Sequence, residues 1–282
     1  MRTKFRLLSA LAMLAALSAP GLAADLDQII PSPVIEDNYV PVEIGNGWYI
    51  RGDISYDLKT STTADYLTYD GISYSTNPYD KFNLGAGGDV SFGAGYQFNS
   101  WLRADATVGH WRRDVNGADV GSGPCGIAGA PITAVGCRSV DATTAHAWEF
   151  MANGYADLGT FVGITPYLGA GAGITQIRYD ALSNRSICTD AAGLDIAGCT
   201  SVASHAAVRG DWRFTWALMA GASLDISKNV KFDLGYRYAH YSGGDMFGWD
   251  SFSAGLGASG VQGTENGFGQ HQIKAGIRYA LW

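Results

Sequence analysis

The sequence predicts an all-β chain, an eight-stranded antiparallel transmembrane up-and-down β-barrel with short turns at one end and four long loops at the other. Three observations carry this expectation. Apolar residues recur with a period of two, as in "VKFDLGYRYAHYSGG" (Val230 to Gly244), where Val230, Phe232, Leu234, Tyr236 and Tyr238 alternate with Lys231, Asp233 and Arg237. Connections between such segments alternate in length, and aromatic side chains gather at segment ends.

The chain opens with a secretory signal peptide, residues 1–24. Arg2, Lys4 and Arg6 precede the apolar run Leu7 to Leu17, and Pro20 and small residues lead to a cleavage point after Ala23 or Ala24. The apolar run is shorter than the roughly 20 residues a helical span requires. Three of the 19 basic residues leave with the signal and none of the 26 acidic ones, so the mature charge is −10, which argues against nucleic acid as a partner. Residues 25–46 carry Pro31, Pro33 and Pro41 and read as an extended periplasmic leader. The barrel is expected over 47–282.

Strand patterns follow in order: Gly47–Asp57, Asp89–Phe98, Trp101–Trp111, Ala147–Leu158, Ile164–Tyr179, Trp212–Asp225, the opening stretch from Val230, and His271–Trp282. Each is about eleven residues or longer, and a tilted span needs ~9–11. Asn99 and Ser100, then "GTFVG", then "ISKN" make short turns, whereas 58–88, 112–146, 180–211 and 242–270 are long. Asp65 to Ser75 reads as a strand extension above the membrane, with a hairpin and a ten-stranded count as the alternative. Cys125 with Cys137, and Cys188 with Cys199, fall in two long loops; behind a signal peptide such pairs become disulfides. No CxxC occurs and no histidine stands at ligand spacing beside them, so no metal or cofactor is expected.

Alternation alone does not say which face is inside, because a soluble lipocalin-like barrel also alternates. Glycines share the face of the charges (Gly93, Gly95, Gly235, Gly276), which suits a crowded lumen. Aromatics mark two levels: Trp48, Phe98, Trp101 and Phe161 near the short turns, and Tyr56, Trp111, Trp148, Trp212 and Tyr241 near the long loops. Both features favour apolar side chains toward lipid. The expected interior holds Arg51, Asp53, Arg103, Asp105, Glu149, Asp157, Arg213, Asp225, Lys231, Asp233, Arg237, Lys274 and Arg278, paired into a network.

"ADL" after the signal, "GWYIRGDISYD", "TPYLGAGAG", "LGYRY" and "IKAGIRYALW" resemble the small outer-membrane β-barrel (porin-like) proteins of alphaproteobacteria, a group similar to the transmembrane domain of OmpA. The resemblance implies an eight-stranded barrel in the cell outer membrane, a C-terminal aromatic (here Trp282) read by the barrel-assembly machinery, and roles in envelope integrity and surface exposure. It does not extend to an OmpA-like peptidoglycan-binding domain. Tyr279 stands three before Trp282, out of the family's Tyr-x-Phe phase.

The expected role is structural, because side chains fill an eight-stranded lumen. The barrel would anchor disulfide-closed loops at the surface, with outer-membrane lipid and lipopolysaccharide around its waist. Two alternatives remain. His110, His146, His205, His240 and His271 all lie toward the long-loop end. With Arg112 and Arg113, four of them (His110, His146, His240, His271) are candidates for contact with lipopolysaccharide phosphates or for binding haem or a metal; a narrow channel belongs to the same class. His240 and Ser242 are weakly similar to the His-x-Ser of outer-membrane lipid A deacylases, with Glu265 as the third group such a hydrolase needs. A non-enzymatic role is the expectation.

Overall fold

The computed structural model describes residues 47–121 and 125–281; the expected signal peptide, the leader and Trp282 lie outside the described residues. The alternation of "GWYIRGDISYD" forms β1 (Gly47–Asp57). Four short strands occupy the first long connection: β2 (Thr60–Thr62), β3 (Ala64–Tyr69), β4 (Tyr74–Pro78) and β5 (Lys81–Leu84). Then come β6 (Gly87–Gln97), β7 (Leu102–Gly121), β8 (Gly136–Asp157) and β9 (Ile164–Tyr179). β10 (Leu182–Thr189) and β11 (Asp195–Ala207) precede β12 (Asp211–Asp225) and β13 (Val230–Asp250). A short α1 (Ser251–Gly255), capped by the Asp250 carboxylate, leads to β14 (Val261–Ala280).

Every long strand is antiparallel to its neighbours. The hydrogen-bonded path leaves β1 through β6 and runs β7, β8, β9, β12, β13 and β14. It then returns to β1, with Ile54 opposite Ala275. Such a path gives each backbone amide in it a partner, which hydrocarbon cannot supply. The short turns stand where the composition places them. In the first, the Asn99 Oδ1 accepts from the backbone N–H of Trp101 (3.0 Å) and of Leu102 (2.8 Å), the asparagine turn chemistry expected there.

The long connections differ from the expected loops, because most of their length is strand. β7, β8, β13 and β14 run well past the expected segment ends, and β10 and β11 bridge β8 to β13. Asp65 to Ser75 is a hairpin rather than a simple extension. β3 pairs with β4, the Asp70 carboxylate fixes its turn by accepting from Ile72 N and Ser73 N, and β3 adds to β14 at Gly263–Glu265.

The outward face is apolar. Trp48 is 63% exposed and Phe92 69%, and Ile54, Val108, Ile174, Phe214, Leu218, Leu234 and Ile277 are exposed with them. Trp111 and Tyr241, expected in the outer aromatic level, are buried instead. They share the parity of Arg103 and Asp233 and so point inward. On the inner face, Gly221 stands opposite Gly235. A Cβ at either position would lie 2.6 or 2.5 Å from the Tyr167 hydroxyl oxygen, so only glycine lets that ring cross the lumen. Gly267, at φ 96°, marks the point in β14 where the buried set changes from odd to even numbers.

Leu218 lies midway along β12 on the exposed face. Leu218→Arg is expected to lower stability in lipid by ~2–4 kcal/mol, read from the urea midpoint of the heat-modifiable band. A change near zero would mean that this face meets water.

Candidate functional site

The inward side chains fall into layers. Nearest the short turns, the Arg103 guanidinium lies 4.0 Å from the Tyr155 ring centroid and 4.9 Å from that of Tyr167. Its Nε donates to Asp157 Oδ1 at 3.1 Å. Its other two nitrogens have no hydrogen-bond acceptor among the described residues, so the ring faces offset their desolvation.

Arg51 is the hub of the next layer. It donates to Asp105 (2.7 Å), to both oxygens of Asp53 (2.8 and 3.0 Å) and to the Tyr155 hydroxyl (2.9 Å), and lies 3.9 Å from Asp233. Lys274 joins at Asp53 (3.2 Å), and Arg278 at Asp233 (2.9 Å). Asp105 also accepts from Tyr49 and Asn153, and Asp233 from Ser223. Higher still, Arg237 donates to Glu149 (2.8 Å) and Gln272 (2.6 Å), and Gln272 donates to Asp89 (2.9 Å). Arg113 bonds Asp57 and Asp89.

Above these ions the interior turns apolar. Phe268 stacks on Tyr241 and Trp111 meets both edge-on, with ring centroids 4.9–6.3 Å apart, in one cluster with Val115, Ile177 and Tyr179. Arg213 belongs to this upper level, bonded to Asp211 (2.9 Å) and Glu265 and lying over the Tyr179 ring. Two small cavities lie along the interior, about 50 Å3 beside Tyr49 and Asp157 and about 20 Å3 beside Glu149 and Arg237. Beyond the apolar layer a cup of about 660 Å3 opens at the long-loop end.

The expected disulfides are both present, Cys125–Cys137 and Cys188–Cys199. Cys137 and Cys188 are opposite each other across β8 and β10, so the two bridges share one patch at the rim.

A family profile described as outer membrane protein beta-barrel domain matches residues 9–280. An uncharacterised protein of Brucella abortus is 35% identical over 279 residues, covering 91% of this chain and 92% of its own. This chain belongs to the outer-membrane β-barrel protein family. Its place is the outer membrane, and the exposed apolar face of the strands is its lipid-facing surface. A putative adhesin of Rickettsia bellii is 27% identical over 200 residues, covering 71% of this chain and 76% of its own. Among solved structures, Neisserial surface protein A aligns with a TM-score of 0.45 at 16% identity, covering 84% of this chain and 99% of that one.

Arg51, Asp53, Arg103, Asp105, Glu149, Asp233, Arg237, Lys274 and Arg278 all lie inside and in contact with partners, and Arg213 lies in the upper wall. Lys231 and Asp225 pair with each other at 2.5 Å and are about one-third exposed at the short-turn rim, not deep in the lumen. Arg113 is a correction: it is buried and paired with carboxylates, so it is no surface contact. Period two places it opposite Arg112, which is exposed.

His110, His146 and His271 lie on the outer surface toward the loops, and His240 stacks on Trp216. His205 is buried against Gln262. The histidines do not converge, and among the described residues no group of three His, Cys, Asp or Glu side chains is placed to hold a metal ion. Glu265 is bonded to Arg213 inside, on the face opposite His240, so the hydrolase trio is not assembled.

Sequence reasoning missed Tyr49, Tyr155 and Tyr167, although the parity of Tyr49 with Arg51, and of Tyr155 with Asp157, was available as a signal. It also missed Arg178. That residue faces His146 across β8 and β9, and His146 faces Arg112 across β7 and β8, giving an outward row of Arg112, His146 and Arg178, with the Asp180 carboxylate 3.1 Å from the His146 ring.

Arg51→Met strands Asp53 and Asp105 without their shared cation. Stability in micelles is expected to fall by ~3–5 kcal/mol, measured by urea unfolding. An unchanged midpoint would mean that these carboxylates are solvated.

Proposed function

We propose that this protein is a structural, non-enzymatic component of the outer membrane. Eight strands close the barrel over 47–282, behind a signal peptide (1–24) and a periplasmic leader (25–46). The lumen is plugged, the disulfide-closed loops are displayed at the cell surface, and the barrel contributes to envelope integrity. The observation that carries the reading is the sealed interior. Paired ions fill the lower half and the Trp111–Tyr241–Phe268 cluster closes the upper half, with small cavities below it. The return of the strand path to β1 supports the eight-stranded count, with β3–β4 and β10–β11 as walls above the membrane. The likeness to a putative rickettsial adhesin favours surface display.

Lipopolysaccharide is the proposed neighbour at the outer boundary. The exposed Arg112 and Arg178, on either side of the His146–Asp180 pair, face outward just above Trp148, where phosphates of the outer leaflet lie. The barrel-assembly machinery is proposed to act through the last strand and Trp282.

Planar-bilayer recordings of the refolded barrel are expected to show no steady conductance, and a strain lacking the protein is expected to admit large antibiotics more readily. Steady nanosiemens steps would refute the plugged lumen. Arg112→Glu with Arg178→Glu is expected to reduce co-purified lipopolysaccharide severalfold, assayed by bound phosphate, with the heat-modifiable shift retained. Unchanged phosphate would remove the two arginines from the reading.

A further inference from the structure

The cup at the long-loop end is unlike the interior beneath it. Its volume of about 660 Å3 lies within the ~300–1,000 Å3 of small-molecule sites. It is blind, because Leu182 and Phe247 form its floor and both belong to the apolar layer that closes the lumen. Tyr66 and Tyr79 form an aromatic wall, with ring centroids 5.0 Å apart. Such a container suits an organic body rather than a bare ion.

Charge decides which organic body. In the lumen, the carboxylates at Asp53, Asp57, Asp89, Asp105, Glu149, Asp157 and Asp233 each meet an arginine or lysine. The cup carries Asp119, Asp141 and Asp250; His205 lines it, and among the described residues no lysine or arginine does. Each of the three is held by neutral donors instead. The Tyr66 hydroxyl donates to Asp119 (2.6 Å) and the Asn184 amide to Asp141 (2.6 Å). The backbone N–H groups of Phe252 and Ser253 donate to Asp250 (2.9 and 3.0 Å). Arg138, on the same strand as Asp141, is committed to Asp195 on the outer side. The cup is therefore an aromatic-walled site in which three carboxylates face a single basic side chain, the His205 imidazole, which interacts with Asp141 and Asp250. The excess of carboxylates over basic side chains favours a cation over phosphate, sulfate or carboxylate ligands. Burial pushes the Asp141 carboxyl above its usual range, a cost that an incoming cation relieves.

We propose that this cup binds a small organic cation, an amine carried on an apolar or aromatic body, taken up from the outer face. The ammonium group lies among the three carboxylates and against the tyrosine faces, which attract cations through the ring quadrupole, while the apolar body rests on Phe247 and Leu182. The site goes beyond the structural role proposed above and depends only on the folded loops.

The test is calorimetric titration of the refolded mature chain in micelles. Phenethylamine is the probe, and N-acetylphenethylamine is its neutral counterpart. One saturable site for the amine is expected, with the acetylated compound weaker by about tenfold or more. Asp119→Asn with Asp141→Asn is expected to weaken the amine by a similar factor. Should the double variant lose its heat-modifiable shift, Asp119→Asn alone, at the half-exposed rim, is expected to cost severalfold. No saturable heat, equal binding of the neutral compound, or an unchanged amine affinity in the folded variant overturns the proposal.

Discussion

A strand whose outer face meets hydrocarbon has one place for its ionic side chains, the inside of the barrel, and there every charge must find its opposite. Much of this structure follows from that constraint. Arg51 satisfies it most completely. It sits within ion-pair reach of Asp53, Asp105 and Asp233, carboxylates from three strands, so one guanidinium ties β1 to β7 and β13. Burying ions gains little net stability over an apolar core, but it makes each partner indispensable to the others. The network thus acts less as a source of stability than as a lock on register. A slip of one residue would turn each of these charges to the lipid.

The lock does not extend over the whole height. At the level of Glu149 and Arg237 the ions give way to Trp111, Tyr241, Phe268 and Ile177. The inner apolar layer begins near the level where the outer face reaches Trp148 and Trp212 and where the strands leave the hydrocarbon. Above that level both faces can be wetted, and the walls behave as an ordinary sheet with its own small core. The same change explains why the long connections are strands. Once outside the membrane, β10, β11, β3 and β4 can add to the barrel wall without closing on themselves.

The two halves also treat acidity differently. Below, carboxylates are matched by arginine and lysine; above, Arg213 still matches Asp211 and Glu265, whereas Asp119, Asp141 and Asp250 around the cup are held by hydroxyl, amide and backbone donors. Lipid on the outside forbids an unmatched interior charge. Water at the rim tolerates one, which leaves room for chemistry that the barrel wall cannot host.

The amino-acid order alone determined the parity of each strand. Period two is a property of the pleat, and it assigned Phe232 and Asp233, or Ile54 and Asp53, to opposite faces without knowledge of any neighbour. Composition likewise placed the short turns and paired the cysteines within their loops. Only the tertiary structure decided which charge meets which. Arg51 and Asp105 are 54 positions apart and Arg237 and Glu149 are 88 apart, and strand stagger, which no local pattern encodes, brings them together. The inward turn of Trp111 and Tyr241 was legible in parity but was overridden by the expectation that aromatics near a strand end belong to the lipid boundary. Arg112 and Arg113, adjacent in sequence, face opposite ways along β7, so only Arg112 reaches the surface. The outer cup was invisible in the sequence, because its walls come from all four long connections, which only the pairing of distant strands brings together.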